Sequence, residues 1–135
     1  MENLFPNNAY QMPAYRKALE IFKISRALAA HFSDGRNMIE MDISSTPSHR
    51  YAGYLVTESL QLAPDIASAI STGSSEKRMK KIKRIRRIAH SLRNQCKSLE
   101  FSGVKEVEFL NLLRNEITYF EQLMNQWLQN IQNSD

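Results

Sequence analysis

The chain has one cysteine, four glycines and four prolines in 135 residues, and no long apolar run. The lone thiol, Cys96, excludes an internal disulfide and a zinc site built on paired cysteines. A chain without disulfides suits a reducing compartment. So few turn-forming residues leave room for few connections, which favours long helices over many short strands. No stretch reaches the roughly 18 apolar residues that would span a bilayer. The opening MENLFPNN carries neither a basic nor an apolar segment, so no secretory leader is expected. The expectation is a soluble, cytoplasmic protein with no membrane contact. Its length amounts to one domain, able to bury a core without covalent staples.

Residues 1–12 are polar and Asn-rich, and read as a loose arm ahead of a single domain over 13–135. Pro13 suits the first position of a helix, where its missing N–H costs nothing. From there Leu19, Ile21, Phe22, Ile24, Leu28 and Phe32 recur at helical spacing, up to the stop at Ser33-Asp34-Gly35. The stretch 33–47 is long for a structureless connection, and Met38, Ile39 and Met41 suggest a short helical turn. Ser45-Thr46-Pro47-Ser48 supplies a cap and start for a second helix. That helix runs to about Ser71 with Tyr51, Leu55, Leu62, Ile66 and Ile70 on one side, and Pro64 should kink it. Thr72-Gly73-Ser74-Ser75 is a turn.

The second half repeats this grammar. A third helix from Glu76 to about Phe101 carries Ile82, Ile85, Ala89, Leu92, Cys96 and Leu99 in three-four alternation, and Ser102-Gly103 ends it. A fourth, from about Val104 to Gln129, carries Leu110, Leu113, Ile117, Phe120, Met124, Trp127 and Ile131, with a fraying end beyond. Two sustained seams joined by short turns describe an all-α, antiparallel up-down four-helix bundle.

The charge is segregated. Ten of the eighteen cations fall between 76 and 99, against the single acid Glu76, so this span carries +9 and the rest of the chain −5. At about 100° per residue, Lys80, Lys83, Arg84 and Arg87 share one face opposite Ile82, Ile85 and Ala89, with Lys81 and Arg86 on the flanks and Lys77 one turn earlier. A solvated helix usually mixes signs so that i,i+4 pairs form. This one stacks like charges, a cost best explained if a polyanion or an acidic protein surface relieves it. The pattern favours a phosphate-binding face made of Lys77, Lys80, Lys81, Lys83, Arg84, Arg86 and Arg87 over a merely solubilising coat. The apolar side has no Trp or Phe to insert, which disfavours a membrane-surface helix.

No other pattern carries chemistry of comparable weight. His31, His49 and His90 share no metal-ligand spacing, and neither a Gly-rich phosphate loop nor a nucleophile elbow occurs. Neither a metal nor a cofactor is expected. Arg84 and His90, five residues apart in between, resemble the Arg-x4-6-His motif of HEPN-type helical ribonucleases. There the arginine would stabilise phosphate charge and the histidine assist 2′-hydroxyl chemistry. The polar residue that usually follows the arginine is replaced by Ile85, and a continuous helix would hold the two side chains about 120° apart. A non-enzymatic protein is therefore expected.

A broader resemblance covers residues 15 to 131. Leu19-Glu20-Ile21-Phe22 is similar to the Leu-Glu-Val-Trp signature of the four-helix-bundle proteins encoded in 23S ribosomal RNA intervening sequences. Ser48-His49-Arg50-Tyr51 and the closing FLNLLRNEITYFEQLMNQWL resemble the related accessory variability determinant proteins of diversity-generating retroelements. The resemblance implies a basic antiparallel bundle without catalytic residues, assembled as a homo-oligomer, commonly a pentamer. In the retroelement branch it also implies binding to nucleic acid and to a reverse transcriptase. The stretch 33–47 is longer than that family's first loop, and Pro64 lacks the surrounding Ser-Ile-Pro-Ser-Asn-Ile pattern. The sequence leaves a pure protein-assembly scaffold open as the alternative to a protein that binds RNA or DNA without sequence specificity.

Overall fold

The computed structural model of the chain describes residues 6–32 and 47–134. A 3-10 helix, Pro6–Gln11, leads into α1 (Pro13–Phe32), α2 (Pro47–Ser71), α3 (Ser75–Phe101) and α4 (Val107–Ser134). No strand occurs among the described residues. α2 packs between α1 and α3, and α4 between α3 and α1, so the four helices close an antiparallel up-down ring around a main core, with a small second cluster of Ala29, Ala52 and Val56 between α1 and α2. The expected turn around Met38, Ile39 and Met41 and the cap at Ser45-Thr46 lie outside the described residues.

Local chemistry accounts for the helix ends. Pro13 and Pro47 each occupy a first helical position, where a fixed φ helps and no N–H is needed. The Ser74 hydroxyl accepts the Lys77 backbone N–H at 3.1 Å, and the Ser74 carbonyl accepts that of Arg78 at 3.0 Å, which starts α3. At its far end the Ser102 N–H donates to the Ser98 and Leu99 carbonyls, and Gly103 follows at φ 77°, a conformation that favours glycine. α4 opens at Val107, not at the expected Val104, with the Glu106 carbonyl accepting the Leu110 N–H at 3.0 Å. Neighbouring helix axes lie about 8–10 Å apart, and crossing that gap takes about three extended residues. Val104, Lys105 and Glu106 make the crossing.

The core follows the two seams closely. Ile82, Ile85, Ala89, Leu92, Cys96 and Leu99 of α3 are fully buried, as are Leu110, Leu113, Ile117, Phe120 and Met124 of α4. Beyond Met124 the register shifts: Leu128 and Ile131 are buried while Trp127 is only partly so. The buried Ile131 also holds the helix together to Ser134, where a frayed end was expected after Gln129.

On α1 the core positions are Ala14, Ala18, Ile21, Ser25 and Leu28, with Leu19 and Ile24 only half-buried at the rims. α2 buries Leu55, Leu62 and Ile66 and leaves Tyr51 and Ile70 partly exposed. It continues as a helix through Pro64. Pro64 lies on the exposed side, where a Leu60 carbonyl deprived of its helical donor costs least.

The expected arm over 1–12 is, in its described part, a 3-10 turn packed on α1 and α2. Ala9 is buried and the Arg16 guanidinium donates to the Tyr10 and Gln11 carbonyls at 3.0 Å each. The satisfied carbonyls and the buried methyl anchor what composition alone marks as loose.

Candidate nucleic-acid interface

Because α3 is one continuous helix with a buried seam, its cations are placed by register. Lys77, Lys80, Lys83, Arg84 and Arg87 are exposed, and Lys81 and Arg86 are half-exposed on the flanks. The structure sorts the ten cations into those already engaged and those that are free. Arg78 points back onto the end of α2. Its Nε donates to the Ala69 carbonyl at 3.1 Å, and one terminal nitrogen donates to those of Ile70 at 3.3 Å and Thr72 at 2.8 Å. A guanidinium is suited to this because its planar fork meets several carbonyls at once, at the negative end of a helix dipole. Arg78 is a clamp between α2 and α3.

Arg93 is likewise consumed. It pairs with Glu121 of α4 and donates to the Thr118 hydroxyl at 2.6 Å. Lys81 donates to the Ser68 hydroxyl of α2 at 3.0 Å. Lys80 lies 3.9 Å from Glu76 with both side chains largely in solvent, a contact of little energetic weight. Lys77, Lys83, Arg84, Arg86 and Arg87, and the more distant Lys97, have no carboxylate partner among the described residues. The charge that sequence counts as ten is, at the surface, a smaller free set.

Part of that set borders a groove. Lys83, Arg86, Arg87 and His90 of α3 face Glu121 and Asn125 of α4 across a cleft of about 590 Å³. The two α4 residues are invisible to any reading of α3 alone. Their only sequence signal is their i,i+4 spacing on the flank of the α4 seam. Arg84 does not border this cleft; it sits on the solvent side of α3. The continuous helix therefore does not bring Arg84 and His90 together within one chain.

The remaining polar contacts read as structural. Glu58 of α2 accepts from Ser91 and from Gln95 of α3, and Glu100 pairs with Arg114 of α4. Lys17 of α1 sits 2.6 Å from Glu116 of α4 and 2.8 Å from Glu20. The hydrogen bond to Glu116, then that to Glu20, raises its pKa above the ordinary lysine value. Burial pushes the Cys96 thiol up to about 11, which makes it a core side chain and a poor nucleophile. Among the described residues, no three His, Cys, Asp or Glu side chains converge as a metal site, and no helix is long and apolar enough to cross a membrane.

A second surface is apolar. Phe109, Leu112 and Tyr119 are exposed along one stripe of α4 on the side of α1, and half-buried Leu123 continues it. The His31 ring lies 5.8 Å from that of Phe109, and the Lys17 ammonium 5.1 Å from that of Tyr119. Phe109, Leu112 and Tyr119 nonetheless remain 41%, 45% and 49% exposed.

No family model, no curated protein and no solved structure matches the chain.

Proposed function

We propose that this four-helix bundle binds nucleic acid through phosphate contacts from α3, without sequence specificity and without catalysis. The observation that carries the reading is the run of exposed and half-exposed cations in the first half of α3 with no carboxylate partner among the described residues: Lys77, Lys83, Arg84, Arg86 and Arg87, joined by the weakly held Lys80 and Lys81. Five or more like charges on one helix repel each other, and a polyanion relieves that repulsion while releasing its own counterions. Contacts of this kind position a backbone and read no bases, so RNA and DNA are both admissible ligands.

The protein acts as a homo-oligomer in this reading. The apolar stripe Phe109, Leu112 and Tyr119 is the surface that favours assembly, since exposed large side chains in a row mark an interface more often than a coat. The resemblance to the intervening-sequence and retroelement accessory proteins points to a pentamer and to a reverse transcriptase as a protein partner, and the lack of paired cysteines suits the reducing cytoplasm. If the stripe alone mattered, the protein would be an assembly scaffold.

Reversing Lys80, Lys83, Arg84 and Arg87 to Glu separates the two readings. The variant should keep its helicity, because these side chains point away from the core, and should lose binding to both RNA and DNA oligonucleotides. Unchanged binding assigns the cluster to solvation and leaves the scaffold.

A further inference from the structure

The basic set is not symmetric about the crown of α3, and the asymmetry bears on the path a strand takes. Lys83, Arg86 and Arg87 lean over the α3–α4 cleft, whereas Lys77, Lys80 and Arg84 face solvent. The opposite wall carries one carboxylate, Glu121, but Arg93 already pairs with it. The wall therefore repels an incoming phosphate weakly, and the cleft keeps the charge of its three cations. Asn125 adds an amide that both donates and accepts, and His90 a planar ring on the α3 side. At about 590 Å³ the cleft falls within the size range of small-molecule sites, enough for one nucleotide.

We infer that a single-stranded nucleic acid runs along the α3–α4 cleft, with a phosphate on Lys83, Arg86 and Arg87 and the attached nucleoside against His90 and Asn125. The inference rests on the proposed phosphate-binding function and specifies its ligand. A base can enter such a cleft only when it is splayed out of a stack, which a flexible strand permits and an intact duplex resists. The convex crown of α3 would by itself serve either form. A preference for single strands thus comes from the cleft, not from the charge.

The test compares equal charge losses in two places, with a labelled uridine dodecamer and an RNA duplex of the same length as probes. Lys83→Gln with Arg87→Gln removes two of the three cleft cations; Lys80→Gln with Arg84→Gln removes two of the three crown cations. The cleft pair should weaken dodecamer binding at least five-fold more than the crown pair does. Asn125→Glu, on α4 and outside the basic helix, should weaken it at least ten-fold, and the parent protein should prefer the dodecamer to the duplex. Circular dichroism of each variant checks folding, which exposed positions should not disturb. Equal losses from the two pairs, or an Asn125→Glu protein that binds like the parent, overturns the cleft path while the basic-face reading stands. A parent that binds neither probe, or a four-fold Glu reversal that binds normally, removes the function and the cleft path together.

Discussion

Arg78 belongs to the densest charge run in the chain, yet the geometry makes it a structural residue, and the difference is measurable. Its guanidinium donates to three carbonyls at the end of α2 and in the following turn, at 2.8–3.3 Å. A hydrogen bond to a charged group contributes about 1.5–3 kcal/mol net. Adding three such values would overshoot, because one cation is shared and water replaces it at part-buried carbonyls. Arg78→Ala should therefore cost about 2 kcal/mol, or roughly 6–10 °C in Tm for a chain of this size. Arg78→Lys should restore about half, since a point ammonium cannot span three acceptors as the fork does. Arg84→Ala, on the solvent side of the same helix, should stay within about 0.5 kcal/mol. Urea unfolding at one fixed protein concentration reads all three. Equal midpoints for Arg78→Ala and Arg84→Ala would refute the clamp.

Other expectations follow from the same packing. Leu92→Ala or Ile117→Ala, at fully buried seam positions, should cost about 2–5 kcal/mol by urea unfolding, and a loss under 1 kcal/mol would mean the seams are not the core. The Cys96 thiol, buried and raised to about 11, should resist a thiol reagent at pH 8 in the native protein and react at once in denaturant; fast native labelling would contradict its placement. Sedimentation equilibrium should show a homo-oligomer that Leu112→Glu with Tyr119→Glu dissociates, whereas a monomer at high concentration would remove the assembly.

Most of the fold is legible in the sequence because large apolar side chains and rare breakers mark it. The seams of α3 and α4 are read residue for residue down to Met124. The misses have a common cause in side chains of ambiguous signal. Ala14, Ala18 and Ser25 line the core of α1, yet small residues weigh little in an apolar periodicity, so Leu19 and Phe22 draw attention to a rim instead. Trp127 outranks Leu128 by size, but the register of α4 buries Leu128. The 3-10 turn at Pro6–Gln11 depends on Arg16, a residue of the next helix, which no local reading supplies.

The candidate site was legible by the same rule. Which cations share a face follows from helical register alone. Which of them are spent does not, because Ala69, Ser68 and Glu121 belong to other helices that only the folded bundle brings alongside. The cleft's second wall, Glu121 and Asn125, is hidden for the same reason.

The salt dependence of binding tests the phosphate-contact account most directly. Arg78 and Arg93 are engaged within the protein, so they release no counterions from a bound strand. Of the seven candidate site cations, five are free, Lys77, Lys83, Arg84, Arg86 and Arg87, and all seven become available if Lys80 and Lys81 let go of Glu76 and Ser68. At about 0.7 per contact for a single strand, log affinity for a uridine dodecamer should fall with log salt at a slope between about −3.5 and −5. The four-fold Glu reversal should leave no measurable binding at any salt. A slope near zero, or binding that the reversal does not touch, would contradict the assignment of α3 as the nucleic-acid surface.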